Sequence, residues 1–282
     1  MPYCSVSGRA ADDGGEEEEV RIFYQRYGYG ATKVILIIGF AGTLESWAPQ
    51  VKGLTGAVDP VDEEAPADGG GAAEGVEVCC FDNRGVGRSS VPAQKSQYTT
   101  AIMAMDALAL MDHLGWQSAH VFGHSMASKL AAMAPERVAS LALLNTTGGG
   151  YQCIPKKYLD EVVGSSTRRK ILYQEYVKGL SSGGMQSRHG FEGQLNACWT
   201  HKLSPKELDR IRSAGFLVLV LHGRYDVVAQ LYHARRLAEK LQPAAKMVEL
   251  HGGHLVSHER PAEVNITFPI PSYLLILSLY FS

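Results

Sequence analysis

Cysteine is scarce in this 282-residue chain, and what there is forms no framework. The five residues, Cys4, Cys79, Cys80, Cys153 and Cys198, are odd in number, two are adjacent, and no CxxC pair occurs. That pattern argues against a disulfide scaffold and a zinc knuckle. It points to a reducing compartment, so a cytoplasmic location is expected. Neither sign of charge is in excess: 27 Lys and Arg face 29 Asp and Glu, a net of −2. The basic footprint of a nucleic-acid binder is missing, and no nucleic-acid partner is expected. The N-terminus lacks both the apolar core of a signal peptide and the Arg-rich run of a transit peptide. The uncharged C-terminal stretch 266–282 (ITFPIPSYLLILSLYFS) is interrupted by Pro269 and Pro271. It falls short of the about 20 apolar residues that a spanning helix needs, so membrane anchoring is not expected. No internal repeat is visible.

What remains is a globular composition, 45% hydrophobic and 20% charged, long enough to bury a core without staples. Residues 1–19, rich in Gly, Asp and Glu, read as a disordered acidic arm. Val20–Tyr27 alternates as a half-buried strand does, and Lys33–Phe40 is a near-continuous β-branched run suited to a strand covered on both faces. Residues 53–75 read as a flexible acidic loop. Val76–Phe81 is a further strand. A helix follows from the Thr99–Thr100 cap region to Gly115 in the C′ position. Strands at Ala119–Phe122 and Ala139–Leu144 flank a short helix at Met126–Ala134. Alternation stops over residues 146–213, which read as a helical insertion with Ser204 as an N-cap and Pro205 at the first helical position. It resumes over residues 214–265 with strands near Phe216–Leu221 and Lys246–Leu250 around a helix near Ala229–Leu241. The expected fold is α/β, a mostly parallel sheet with helices on both faces. Its first part spans residues 20–145.

The chemistry gathers at strand ends. In VFGHSMA a short strand runs into Ser125, with Gly123 and Ala127 supplying the small residues a sharp strand-to-helix turn demands. Serine is a weak nucleophile and needs an adjacent base. Asp226 follows the strand FLVLVL, and His254 follows the strand KMVEL. In a parallel sheet such loops collect at the carboxyl ends, so Ser125, Asp226 and His254 can converge. Other readings stay open. Ser125 could be a structural turn residue and Asp226 a helix cap. His251 and His258 flank His254. His124 and His222 read as structural histidines beside the site. Asn145, at the other strand end where an acid could sit, cannot ionise. Asp82 and Arg84 read as an ion pair that fixes a loop.

Six ordered segments, IIGFAGTLESW, FDNRGVGRSS, VFGHSMA, MAPERVASLALLN, LHGRYDVV and HGGHLVSHERP, resemble the α/β-hydrolase fold superfamily from about Val20 to Pro261. The resemblance is to the serine-nucleophile type with a helical lid, as in plant-like AB hydrolase-1 domain proteins. It implies a catalytic triad of Ser125, Asp226 and His254, and an oxyanion hole from the backbone amides of Phe40 and Met126. It makes residues 146–213 a lid. It also implies a small-molecule ester, thioester or amide substrate and no metal or organic cofactor. A serine at the elbow disfavours the epoxide hydrolase and haloalkane dehalogenase chemistries, which use a carboxylate nucleophile. The chain departs from the family pattern in two places. Only ten steps separate Ser125 from Pro135, about four fewer than usual, or roughly one helical turn, and Lys129 lies in that shortened helix. The apolar tail, residues 266–282, stands where the fold's last helix belongs. The alternatives are a non-catalytic small-molecule binder or receptor on the same fold, or a truncated variant with little activity.

Overall fold

The computed structural model describes residues 2–6, 19–62, 75–124, 128–149 and 186–270. Its strands are β1 (Tyr3–Val6), β2 (Val20–Tyr27), β3 (Thr32–Ile37), β4 (Val76–Phe81), β5 (Ala119–His124), β6 (Val138–Leu144), β7 (Val218–Gly223) and β8 (Ala245–Leu250). They form one sheet of eight in the order β1-β2-β4-β3-β5-β6-β7-β8. β1 and β2 run antiparallel at one edge, and every pair from β4 onward is parallel.

Successive strand side chains point to opposite faces, so β3 feeds two cores. Ile35 and Ile37 face a layer that holds Leu110, Met111, Leu130, Ile211 and Leu237. Val34 and Leu36 face the opposite layer, with Trp47, Val51, Val256 and Phe268. The first layer is covered by α2 (Thr100–His113), α3 (Ser128–Met133), α5 (Pro205–Ser213) and α6 (Leu231–Lys240). The second is covered by α1 (Ala48–Thr55), α7 (Val256–Glu259) and α8 (Pro261–Ile266). One more helix, α4 (Arg188–Thr200), lies near the carboxyl ends of the strands. No helix among the described residues is long and apolar enough to cross a membrane.

Local signals behave as the sequence predicts at α2 and α5. Thr99 caps α2 by accepting from the Ile102 amide, and Gly115 follows the helix at φ +68°. Ser204 and Glu207 bond reciprocally across the first turn of α5, a capping box that satisfies two orphan amides.

Several expectations need correction. Tyr3–Val6, placed by sequence in a disordered arm, pairs with β2 and buries Cys4 and Val6. Gly53–Thr55, assigned to the flexible loop, form the last turn of α1, which Gly56 ends at φ +72°. Of the C-terminal tail, Phe268 and Ile270 are buried, and the Phe268 ring meets that of Phe122 at 4.1 Å. Residues 271–282 and the middle of the 146–213 insertion lie outside the described residues, as does Cys153. Lys129 of α3 reaches Glu207 at 2.7 Å and the Lys202 carbonyl at 2.8 Å.

Arg84 does not pair with Asp82. It makes a two-pronged bond to Asp106 of α2, Nε and Nη2 each 2.6 Å from a carboxylate oxygen, with the two side chains 1% and 4% exposed. Removing one partner of such a pair strands the other charge, at a cost of about 3–5 kcal/mol. Asp106→Ala should therefore lower Tm by about 10 °C in a melting scan. Asp209→Ala, which breaks the exposed pair with Arg212, should shift it far less.

Candidate active site

Parallel strands deliver their carboxyl ends to one edge of the sheet, and two of the predicted site residues, Asp226 and His254, meet there. β7 ends at Gly223, and the turn beyond it carries Asp226. Asp226 is 6% exposed, and its Oδ1 accepts from the amides of Val228 (2.8 Å) and Ala229 (2.9 Å). These two bonds fix the carboxylate plane and leave Oδ2 facing His254. His254 Nδ1 lies 2.8 Å from Oδ2, in the loop after β8. Asp226 thus both stiffens its own turn and orients an imidazole.

The neighbouring histidines take other partners. His251 stacks edge-on against Tyr225 at 5.0 Å, and His258 Nδ1 is 3.3 Å from the Ser257 hydroxyl. His222, fully buried, places Nε2 2.5 Å from the Ala229 carbonyl and 3.5 Å from Asp226 Oδ2. Burial pushes its imidazole below the usual range. His124 ends β5 with Nε2 2.9 Å from the His254 carbonyl, and its ring meets the His254 ring edge-on at 4.8 Å. Burial first, and the nearby His254 second, push His124 down to about 3, so it is neutral at physiological pH. His201, at the end of α4, lies 3.0 Å from the Thr100 hydroxyl and 3.4 Å from that of Ser128. Burial lowers its imidazole to about 4.

Asn145 has a role that the sequence did not reveal. It follows β6 at φ +46°, a left-handed conformation that Asn tolerates better than most residues. Its Oδ1 accepts from the Gly223 amide at 2.8 Å, while Nδ2 donates to the carbonyls of Gly253 (3.2 Å) and His254 (2.5 Å). One buried side chain therefore joins the aspartate turn to the histidine loop. Asn145→Ala should unmoor both and leave buried polar groups unpaired, at about 1–3 kcal/mol per group. The checks are a lower Tm and loss of the His254 Nδ1 proton signal in NMR.

On the opposite side of the site the loop after β3 is clamped by the loop after β4. Asn83 Nδ2 donates to the Ile38 carbonyl at 2.7 Å, and Asp82 Oδ1 accepts from the Leu44 amide at 2.8 Å. Asp82 thus fixes a loop, as its position suggested, but mainly through backbone amides. Between these clamps Ala41 sits at φ +56°, and its amide donates to Gln194 of α4 at 2.9 Å. The Phe40 amide makes no hydrogen bond among the described residues. Its ring packs edge-on against Phe191 at 5.2 Å.

β5 ends at His124, with Gly123 buried beneath it, and α3 begins at Ser128. Ser125, Met126 and Ala127 stand between them and lie outside the described residues. The structure thus brings Asp226 and His254 together beside the end of β5, with Phe40 on the facing loop.

Residues 33–162 match a family model described as alpha/beta hydrolase fold. The chain is 29% identical to the dihydrolipoyllysine-residue acetyltransferase component of the acetoin cleaving system of Cupriavidus necator, over 93% of this chain and 72% of that protein. A protein of the same name from Pseudomonas putida is 28% identical, over 86% of this chain and 64% of that protein. Among solved structures, the enol-lactonase of Burkholderia xenovorans superposes with a TM-score of 0.69 over 94% of this chain and 97% of its own, at 22% identity. That likeness is one of fold.

Proposed function

The chain belongs to the α/β-hydrolase fold superfamily, and on that footing we propose that it is a serine hydrolase of small-molecule esters, thioesters or amides. The observation that carries this reading is the 2.8 Å bond from His254 Nδ1 to the buried carboxylate of Asp226. With Nδ1 engaged, Nε2 is the basic nitrogen, available to a hydroxyl at the end of β5. In this reading His254 takes the Ser125 proton as Oγ attacks the substrate carbonyl. Asp226 holds the tautomer and stabilises the imidazolium. The amides of Phe40 and Met126 receive the oxyanion. His254 then protonates the leaving group, and water, deprotonated by the same imidazole, releases the acyl group. The Cupriavidus relative, aligned over 93% of this chain, bears a name that denotes acyl transfer, which supports chemistry at an acyl carbonyl.

The short interval from Ser125 to Pro135, ten steps and about one helical turn less than the family pattern, motivates a second reading, a small-molecule binder without turnover. Hydrolysis of p-nitrophenyl acetate decides between them. The hydrolase reading expects steady turnover that disappears in Ser125→Ala. Thermal stabilisation by ester ligands without turnover would favour the binder, and turnover that survives in Ser125→Ala would defeat the triad.

A further inference from the structure

α4 meets the loop after β3 through the Phe191 ring, packed on Phe40, and through the Gln194 amide. Gln194 is fully buried, and its amide is used at both ends. Oε1 accepts from the Ala41 amide at 2.9 Å and from Gln186 Nε2 at 3.1 Å, while its own Nε2 donates to the Arg84 carbonyl at 3.0 Å. The reverse orientation would set donor against donor and oxygen against carbonyl, so the network defines this one.

The anchor at the far end is rigid. Arg84 is locked by its two-pronged bond to Asp106, and its neighbours Asp82 and Asn83 hold the same Ile38–Leu44 loop directly. Two glycines of α4 let the helix come close to Gly85 and Tyr98. A Cβ at Gly190 would stand 2.0 Å from the Gly85 carbonyl oxygen, and one at Gly193 would stand 2.4 Å from the Tyr98 ring. That ring cannot easily yield, since Tyr98 is fully buried and its hydroxyl bonds the Pro92 carbonyl at 2.8 Å.

We propose that Gln194 is a positioning residue that ties the loop after β3 to the loop after β4, so that docking of α4 and the shape of the oxyanion loop are one event. Gln194 occupies the Ala41 amide and holds Ala41 in its left-handed conformation. This leaves the preceding amide, that of Phe40, to face the reacting carbonyl. The catalytic half of this inference rests on the hydrolase reading above, whereas the tie itself does not. It also explains the pattern Gly190-x-x-Gly193-Gln194: two glycines admit the helix and the glutamine fastens it.

Two variants test it. Gln194→Leu keeps the volume and removes the tie. Gly190→Ala keeps the glutamine and pushes the helix off the Gly85 carbonyl. Both are measured for kcat and KM on p-nitrophenyl acetate and for hydrogen–deuterium exchange in the peptide spanning residues 38–44. A misplaced oxyanion donor costs about 10²-fold in kcat. The expected result is therefore a kcat lowered by about that factor with KM nearly unchanged, and faster exchange of the loop amides. A Gln194→Leu protein whose kcat stays within about twofold of wild type, or whose loop exchange is unaltered, overturns the proposal. If the wild type shows no turnover, the hydrolase reading fails on its own. The exchange measurement then still decides the tie: faster exchange upholds it and unaltered exchange overturns it.

Discussion

Replacing His254 with alanine is expected to lower kcat by about 10⁴- to 10⁶-fold while leaving KM and Tm nearly unchanged. Among the described side chains, the imidazole alone bonds the buried carboxylate of Asp226 while remaining 17% exposed. It can therefore accept and return a proton at the site. The neighbouring histidines cannot substitute. His124 is neutral down to about pH 3 because of its burial, and its Nε2 is engaged at the His254 carbonyl. His222 is buried with Nε2 against the Ala229 carbonyl. His251→Ala serves as the control, since its ring packs on Tyr225 outside the dyad. It should retain kcat within about twofold. Steady-state kinetics on a p-nitrophenyl ester reads both variants, and a large loss in His251→Ala alone would reassign the base.

Asp226→Asn should cost about 10⁴-fold in kcat, and the local bonds explain why so small a change has so large an effect. Oδ1 already accepts two backbone amides, from Val228 and Ala229. An asparagine must keep its single oxygen there, so its NH₂ group takes the place of Oδ2. That group donates to His254 Nδ1 and forces the ring proton onto Nε2. The nitrogen that should receive a proton from Ser125 then carries one. The fold should tolerate the change, because the turn keeps both amide bonds. Unaltered Tm with lost turnover is the expected pair of observations. A variant that keeps more than about a tenth of wild-type kcat would contradict the orienting role.

The candidate site was legible in sequence where chain order and strand ends carried the information. Asp226 and His254 each follow an apolar strand, and a parallel sheet must bring such positions together. The caps at Thr99 and Ser204 were legible because capping is local. What escaped was set by distant partners. YCSV is too short to announce a strand and becomes one only by pairing with Val20–Phe23. Asp82 and Arg84 sit two apart and suggest a pair, yet Asp106 arrives from α2 to take the guanidinium. Lys129 finds its counter-charge 78 positions away, at Glu207. Asn145 was read only as a residue that cannot ionise, whereas its amide joins the two loops that carry the dyad. Gln194 left no signal at all, since an isolated glutamine in a helix has many uses and only the approach of Ala41 selects one.

The most direct test of the central claim is to map the adduct of a fluorophosphonate. Wild-type protein is treated with the probe, digested and sequenced by mass spectrometry, with Ser125→Ala and His254→Ala alongside. The account predicts a single phosphonylated residue, Ser125, with no adduct in Ser125→Ala and strongly slowed labelling in His254→Ala. An unlabelled wild type, or an adduct that persists at another residue in Ser125→Ala, would contradict it.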